Sequence, residues 1–292
     1  MNLVNKQTVQ NSMGKRLVKN QLARSIFFLA AGFGMLVLAV LLYRIFSEGT
    51  SYLDWSFLTS FASRFPEEAG IKAAIIGSLW LMAVTAPVSL ILGVGTAIYL
   101  EEYAKENKIT RFIQMNISNL AGVPSVVFGL LGLTVFVRLM DMGRSIMAGG
   151  LTMSLLILPI IVVSSQEAIR AIPKDQYEAS FAMGATKWQT VLRVVLPAAI
   201  PGILTGGILA LSRAIGETAP LLMIGALSFI AYLPENVWSG FTVLPIQIFN
   251  WTGRPQEEFH LVASAGIIVL LVILLLMNSV AVFIRNKLTK RL

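Results

Sequence analysis

The sequence predicts an all-α membrane protein with six transmembrane helices, and two observations carry that reading. Charged residues make up 13% and hydrophobic residues 56% of the 292-residue chain. A soluble domain holds about a quarter charged residues, so lipid is the solvent this composition suits. In addition, six stretches (26–46, 71–99, 112–138, 146–170, 198–225 and 260–284) each reach the roughly 20 mostly apolar residues that a helix needs to cross the hydrocarbon layer.

The first run follows a basic leader containing Lys6, Lys15, Arg16, Lys19 and Arg24. Such a leader resembles a signal sequence, but the run is too long and no clean small-x-small cleavage site follows, so a retained anchor is expected. Pro87 in the second run and Pro124 in the third are expected to break their helices near the centre, because proline cannot donate to the helical ladder. The alternative is a kink tolerated by neighbouring helices.

Six crossings put both termini on one side, and the Lys/Arg bias chooses it. That side carries the basic leader, Lys105, Lys108 and Arg111, then Arg170, Lys174, Lys187 and Arg193, then Arg285, Lys287, Lys290 and Arg291. The other side carries Arg44, Arg64, Lys72, Arg138, Arg144 and Arg254. Both termini are therefore cytoplasmic, and so is the segment 170–197. The chain divides into a cytoplasmic N-terminal segment (1–25), a first helix (26–46), a five-helix domain (71–284) with a cytoplasmic element at 174–196, and a cytoplasmic tail (285–292).

The net charge of +8 is spread over short connections with no basic face, which is not the footprint of a nucleic-acid binder. The absence of cysteine excludes disulfides, thiolate metal sites and a cysteine nucleophile. His260, the lone histidine, falls at the outer edge of the last run and receives no role. No metal and no cofactor are expected.

The cytoplasmic element is ordered by its punctuation. Pro173 closes the fourth helix, Lys174 to Met183 fits a short helix, and Gly184 suits the left-handed residue that ends one. Thr186 and Gln189 form a Thr-x-x-Gln capping box that starts a second helix, whose Trp188, Val191, Leu192 and Val195 share one face. The expected result is helix, glycine turn, helix, lying parallel to the membrane, with Pro197 and Pro201 bracketing the next span. Spacing alone leaves two uses open: resting on the lipid interface, or docking a partner.

These same residues resemble a family signature. Glu-Ala-Ser, three residues, Gly184, nine residues and Val-x-Leu-Pro over 178–197 are similar to the EAA signature of ABC importer permeases, with Ser180 for the second Ala and Val194 for Ile. The resemblance implies the type I ABC importer permease fold, and makes 71–284 the ABC transmembrane type-1 domain. It further implies that Glu178, Ala179, Ser180 and Gly184 dock an ATPase subunit. No G-x-x-x-x-G-K-[ST] phosphate loop occurs in the chain, so it is not expected to be an enzyme, and ATP hydrolysis falls to a separate subunit.

Arg213 and Glu217 stand inside the fifth apolar run, at a spacing that places both on one helical face. A charge near the midplane costs at least ~2.5–3.5 kcal/mol on insertion scales, and such residues mark transport paths or packed ion pairs. On the first reading Arg213 meets a crossing oxyanion with its rigid fork, Glu217 keeps the anion from being trapped, and Thr218 adds a hydroxyl donor. On the second, Arg213 and Glu217 are a structural pair. Pro220 removes a backbone donor just beyond, and Gly202-x-x-x-Gly206 offers a small-residue packing surface.

Three further stretches are similar to the phosphate-transport permeases: Ala-Gly-Val-Pro-Ser-Val-Val-Phe-Gly-Leu (121–130), Arg-Ala-Ile-Gly-Glu-Thr-Ala-Pro (213–220) and Thr-Val-Leu-Pro-Ile-Gln-Ile-Phe-Asn-Trp (242–251). The companion permease of such systems usually has Met where this chain has Ala219-Pro220. Sulfate and molybdate permeases typically read Gly-Glu-Phe and lack the arginine. The resemblance implies phosphate as cargo, a second permease subunit, two copies of an ATPase, an extracytoplasmic phosphate-binding protein and a bacterial cytoplasmic membrane. A permease for another oxyanion (sulfate, molybdate, phosphonate) and an autonomous anion channel stay open.

Overall fold

The computed structural model describes residues 6–226 and 229–289, and every regular element among them is helical. The elements are α1 (Lys6–Gly49), α2 (Trp55–Thr59), α3 (Lys72–Ile98), α4 (Lys108–Leu120), α5 (Ser125–Gly132), α6 (Ile146–Arg170), α7 (Lys174–Ala182), α8 (Lys187–Thr190), α9 (Leu196–Gly216), α10 (Ala219–Ile224), α11 (Leu244–Thr252) and α12 (Glu257–Thr289). Three wider π-helical turns extend α3 (Tyr99–Tyr103), extend α5 (Leu133–Leu139) and join α8 to α9 (Val191–Val195). Five stretches are long and apolar enough to cross a membrane: Arg16–Tyr52, Lys72–Tyr103, Ile146–Arg170, Lys187–Gly216 and Glu257–Lys287. α4 and the α5 segment through Leu139 are long and apolar enough only when taken together, and they are bent by 107° at the break between them.

α6 is the central helix, packed between α3 and α9 along its length. Among membrane helices apolar burial does not distinguish protein from lipid, so close backbone approach holds the bundle instead. At Gly202 an added Cβ would lie 2.7 Å from the Ala168 Cβ, and at Gly206 it would lie 2.3 Å from the Ser164 Cβ. The core falls into three layers. Phe57, Ile71, Leu244, Trp251 and Phe259 form the outer one. Phe128, Met153, Ile157, Ala214 and Leu221 form the middle one, and Leu100, Ile169, Val195 and Ala199 the inner one. α11 belongs to the outer layer, held by the Leu244 N–H donating to Ser78 Oγ at 2.9 Å. α1 contributes no buried residue from its apolar stretch; it joins α12 at the outer end, where Ser264 Oγ donates to Glu48 Oε2 at 3.3 Å.

Several expectations change. The first helix runs far past 26–46 at both ends, and α12 carries Arg285 and Lys287 on the same helix, so 285–289 are not a separate tail; 290–292 lie outside the described residues. The third run, 112–138, is not one helix but a corner at 121–124. Pro87 does not break α3, which passes through it without interruption. Near that proline, Ser89 Oγ (2.7 Å) and Ser154 Oγ (3.2 Å) both donate to the Thr85 carbonyl, the second of them from α6, which packs along this part of α3. The fifth run, 198–225, starts earlier, at Lys187, and stops at Gly216.

Candidate functional site

The element at 174–196 is built from local signals. Pro173 precedes α7, Gly184 takes φ +81°, and the Thr186–Gln189 capping box is closed in both directions. The Gln189 N–H donates to Thr186 Oγ1 at 3.4 Å, and the Thr186 N–H to Gln189 Oε1 at 2.9 Å. Glu178, Ala179 and Gly184 are exposed on the turn, while Ser180 is half-buried and shares a hydrogen bond with Thr190 Oγ1 at 2.9 Å, which ties α7 to α8. The second helix is not a separate surface helix lying parallel to the membrane. α8, the π-turn and α9 form one rod, Lys187–Gly216, about 45 Å long at 1.5 Å per residue. The π-turn also divides the expected apolar face: Val191 and Val195 are buried, whereas Trp188 and Leu192 are exposed. Met183 (89% exposed) and Phe181 flank Gly184 and extend this exposed apolar surface. Sequence reasoning did not single them out, although an apolar residue beside the helix-ending glycine was readable.

At the far end of the rod lies Arg213. α6 and α9 are antiparallel, so the Gly202–Ala168 and Gly206–Ser164 contacts fix their register. Extending it by seven residues sets Arg213 level with Ile157, next to the midpoint of α6. α9 ends three residues later, with Glu217 in an extended conformation (φ −79°, ψ 128°). Pro220 sits in the first turn of α10, where its missing N–H costs nothing, so the chain has to leave α9 before it. Close contacts also place the second break. Gly132 meets Thr152 and Gly129 meets Pro220, which puts Pro220 level with Leu155 and the corner at 121–124 level with Ile160. Two helix breaks therefore meet at mid-depth, around a core that joins Phe128, Ala214, Ile215 and Leu221.

This geometry separates Arg213 from Glu217. The expected i, i+4 pair needs a continuous helix, and the helix ends at Gly216; among the described residues no ion pair or hydrogen bond joins the two side chains. Arg213 is exposed on the surface of the chain, with Glu217 and Thr218 half-buried beside it. A guanidinium at that depth cannot face hydrocarbon cheaply. Its neighbour Ser212 explains its aim: the Ser212 hydroxyl binds Asn278 of α12 and the Ile208 carbonyl, which pins one face of α9 to α12 and turns the next residue away. Asn278 was not singled out from the sequence; a lone amide within an apolar helix was the available signal. Pro124 stands at the start of α5, at the corner, and Pro87 lies in continuous helix.

The fold and the cytoplasmic turn define a class, and sequence comparison agrees. Residues 89–292 match the family of binding-protein-dependent transport system inner membrane components, and the chain belongs to that family. It is a multi-pass permease subunit of an ABC importer with the type I fold. Among its relatives is the probable ABC transporter permease protein YqgI of Bacillus subtilis, 33% identical over 289 residues that cover 95% of this chain and 98% of that one. Another is the phosphate transport system permease protein PstA 1 of Mycobacterium tuberculosis (strain CDC 1551 / Oshkosh), 31% identical over 282 residues, covering 95% and 92%. In three dimensions it is similar to a chain of a bacterial alginate ABC transporter solved with an alginate pentasaccharide-bound periplasmic protein, with TM-score 0.68, 16% identity and coverage of 95% and 98%.

Proposed function

We propose that this chain is the PstA-type permease of an ATP-driven phosphate importer in a bacterial cytoplasmic membrane. The observation that carries the reading is Arg213, an exposed guanidinium at mid-depth where α9 breaks. An anion leaving water for the middle of a membrane needs a replacement for its hydration, and a planar fork of donors matches an oxyanion's geometry. Thr218 adds a hydroxyl. Glu217 stands just past the end of α9 and, by its like charge, keeps the anion from binding too tightly to leave. The breaks before α5 and after α9 lie near this level, and broken helices are a place where backbone donors can meet an ion in passing. The PstA names of its relatives support phosphate over other oxyanions.

The partners of this reading are a second, PstC-like permease, two copies of a PstB-like ATPase and an extracytoplasmic phosphate-binding protein. ATP hydrolysis belongs to the ATPase. Its groove receives Glu178, Ala179 and Gly184 with Met183 and Phe181 beside them, and closure of the ATPase dimer displaces α7 and α8. Because α8 and α9 are one rod, a push at Lys187 moves the helix that carries Arg213.

Purification of the tagged chain from its native membrane, followed by identification of what accompanies it, tests the assignment. A nucleotide-binding subunit and a second permease are expected, and Glu178→Lys should remove the former. Anion flux in liposomes holding this chain alone would overturn the ATP-driven reading. ATP-driven uptake that excess phosphate fails to compete, while sulfate or molybdate succeeds, would overturn the cargo.

A further inference from the structure

The inner end of α3 is a π-helical turn, Tyr99–Tyr103, closed by the Ala104 N–H donating to the Tyr99 carbonyl at 2.8 Å. Three consecutive residues of this turn reach three different elements. Glu101 takes both arms of the Arg170 fork at the end of α6, Nη2 to Oε1 at 2.7 Å and Nε to Oε2 at 2.9 Å. It also accepts from Gln166 Nε2 at 2.7 Å. Glu102 accepts from the Tyr177 hydroxyl of α7 at 2.7 Å. The Tyr103 ring lies 5.2 Å from the Lys187 ammonium, the first residue of α8.

These contacts are of the stronger kind. A bidentate guanidinium–carboxylate pair and a phenol–carboxylate bond are charge-assisted, and the Glu101 side chain is 13% exposed, so water competes little. Burial first, and then the bond to Glu102, raise the Tyr177 phenol above its ordinary range, in keeping with a phenol that donates to a carboxylate. A wider π-turn shifts side chains out of the α-helical register, and such turns are frequent at functional positions.

The placement matters because of how the docking element is wired. α8 continues into α9, whereas α7 follows α6 through the short link 171–173. A displacement of α7 and α8 thus acts directly on α9, and α3 is reached through no backbone connection nearby. We propose that Glu101, Glu102 and Tyr103 are positioning residues that deliver the movement of the docking element to α3 and hold α3 to α6, so that the inner ends of α3, α6 and α9 move as one body. The proposal rests on the ATP-driven reading above and names the residues that would make it work. It separates two jobs in the cytoplasmic element: its outer surface meets the ATPase, and its inner surface grips the π-turn.

The test uses the complete transporter in proteoliposomes with binding protein and ATP, measuring anion taken up and ATP hydrolysed in the same vesicles. Tyr177→Phe deletes one hydroxyl, and Glu102→Gln keeps the shape without the charge. Each variant is expected to assemble with the ATPase as the wild type does, and to lose about tenfold in uptake per ATP hydrolysed, the weight of one hydrogen bond to a charged group. The double variant is expected to be no worse than either single one, because the two residues act through one bond. Wild-type uptake per ATP in Tyr177→Phe and in Glu102→Gln would overturn the proposal. So would a parallel fall in uptake and hydrolysis with loss of the ATPase, which marks a merely structural bond. A wild-type transporter without ATP-dependent uptake would overturn the reading beneath it, and the proposal with it.

Discussion

Gly206→Ala probes the seam that sets the depth of Arg213. The added methyl would lie 2.1 Å from Ser164 Oγ and 2.3 Å from Ser164 Cβ. Carbon atoms rest about 3.5–4.0 Å apart, so the shortfall is more than an ångström. Rotating the serine moves its hydroxyl but not its Cβ, so α9 and α6 have to part. Overpacking of this kind costs ~1–3 kcal/mol. Ser164→Gly in the same chain removes both obstructing atoms and leaves the Ser164 Cα at 3.7 Å, an ordinary contact, so the double variant should regain most of the loss. Thermal unfolding of the purified chain in detergent reads this out, at about 2–4 °C per kcal/mol for a chain of this order of size. Wild-type stability in Gly206→Ala, or no rescue by Ser164→Gly, would refute the helix register and with it the placement of Arg213.

Other substitutions test single features. Gly184→Val forces a branched residue to φ +81° and should cost about 1–2 kcal/mol, while Gly184→Asn should cost much less; equal effects on the unfolding temperature would contradict the left-handed turn. Asn278→Leu leaves the Ser212 hydroxyl bonded to the Ile208 carbonyl, so it should cost only ~0.6 kcal/mol, the average for polar contacts between membrane helices. A protein that fails to fold with this change would show that Asn278 has other partners.

What could be read from the chain was local. The turn at Gly184 and the box at Thr186 rest on residues within four positions of each other, and short-range hydrogen bonds decide them. The breaks were harder. Counting apolar residues over 112–138 concealed a helix whose own pattern was visible, with Ile109, Phe112, Ile113, Ile117 and Leu120 opposite Lys108, Arg111, Gln114 and Ser118. α11 escaped notice because burial of Leu244, Ile246 and Trp251 under α12, not length or periodicity, makes it a helix. Pro87 misled because a proline removes only one donor, and α3, packed along α6, continues through it. Glu101 and Arg170 are 69 positions apart, and no local pattern announces such a pair. The i, i+4 spacing of Arg213 and Glu217 was legible, but the end of α9 between them was not.

The proposed pathway requires an anion to meet Arg213. ATP-driven phosphate uptake into proteoliposomes, compared between wild type and Arg213→Ala in complexes shown to contain equal ATPase, measures this directly. The expected result is a fall in uptake of at least about tenfold with the complex intact, the smallest loss consistent with removing a charged hydrogen-bond donor from the path. Wild-type uptake by Arg213→Ala would contradict the pathway and leave that arginine a structural residue.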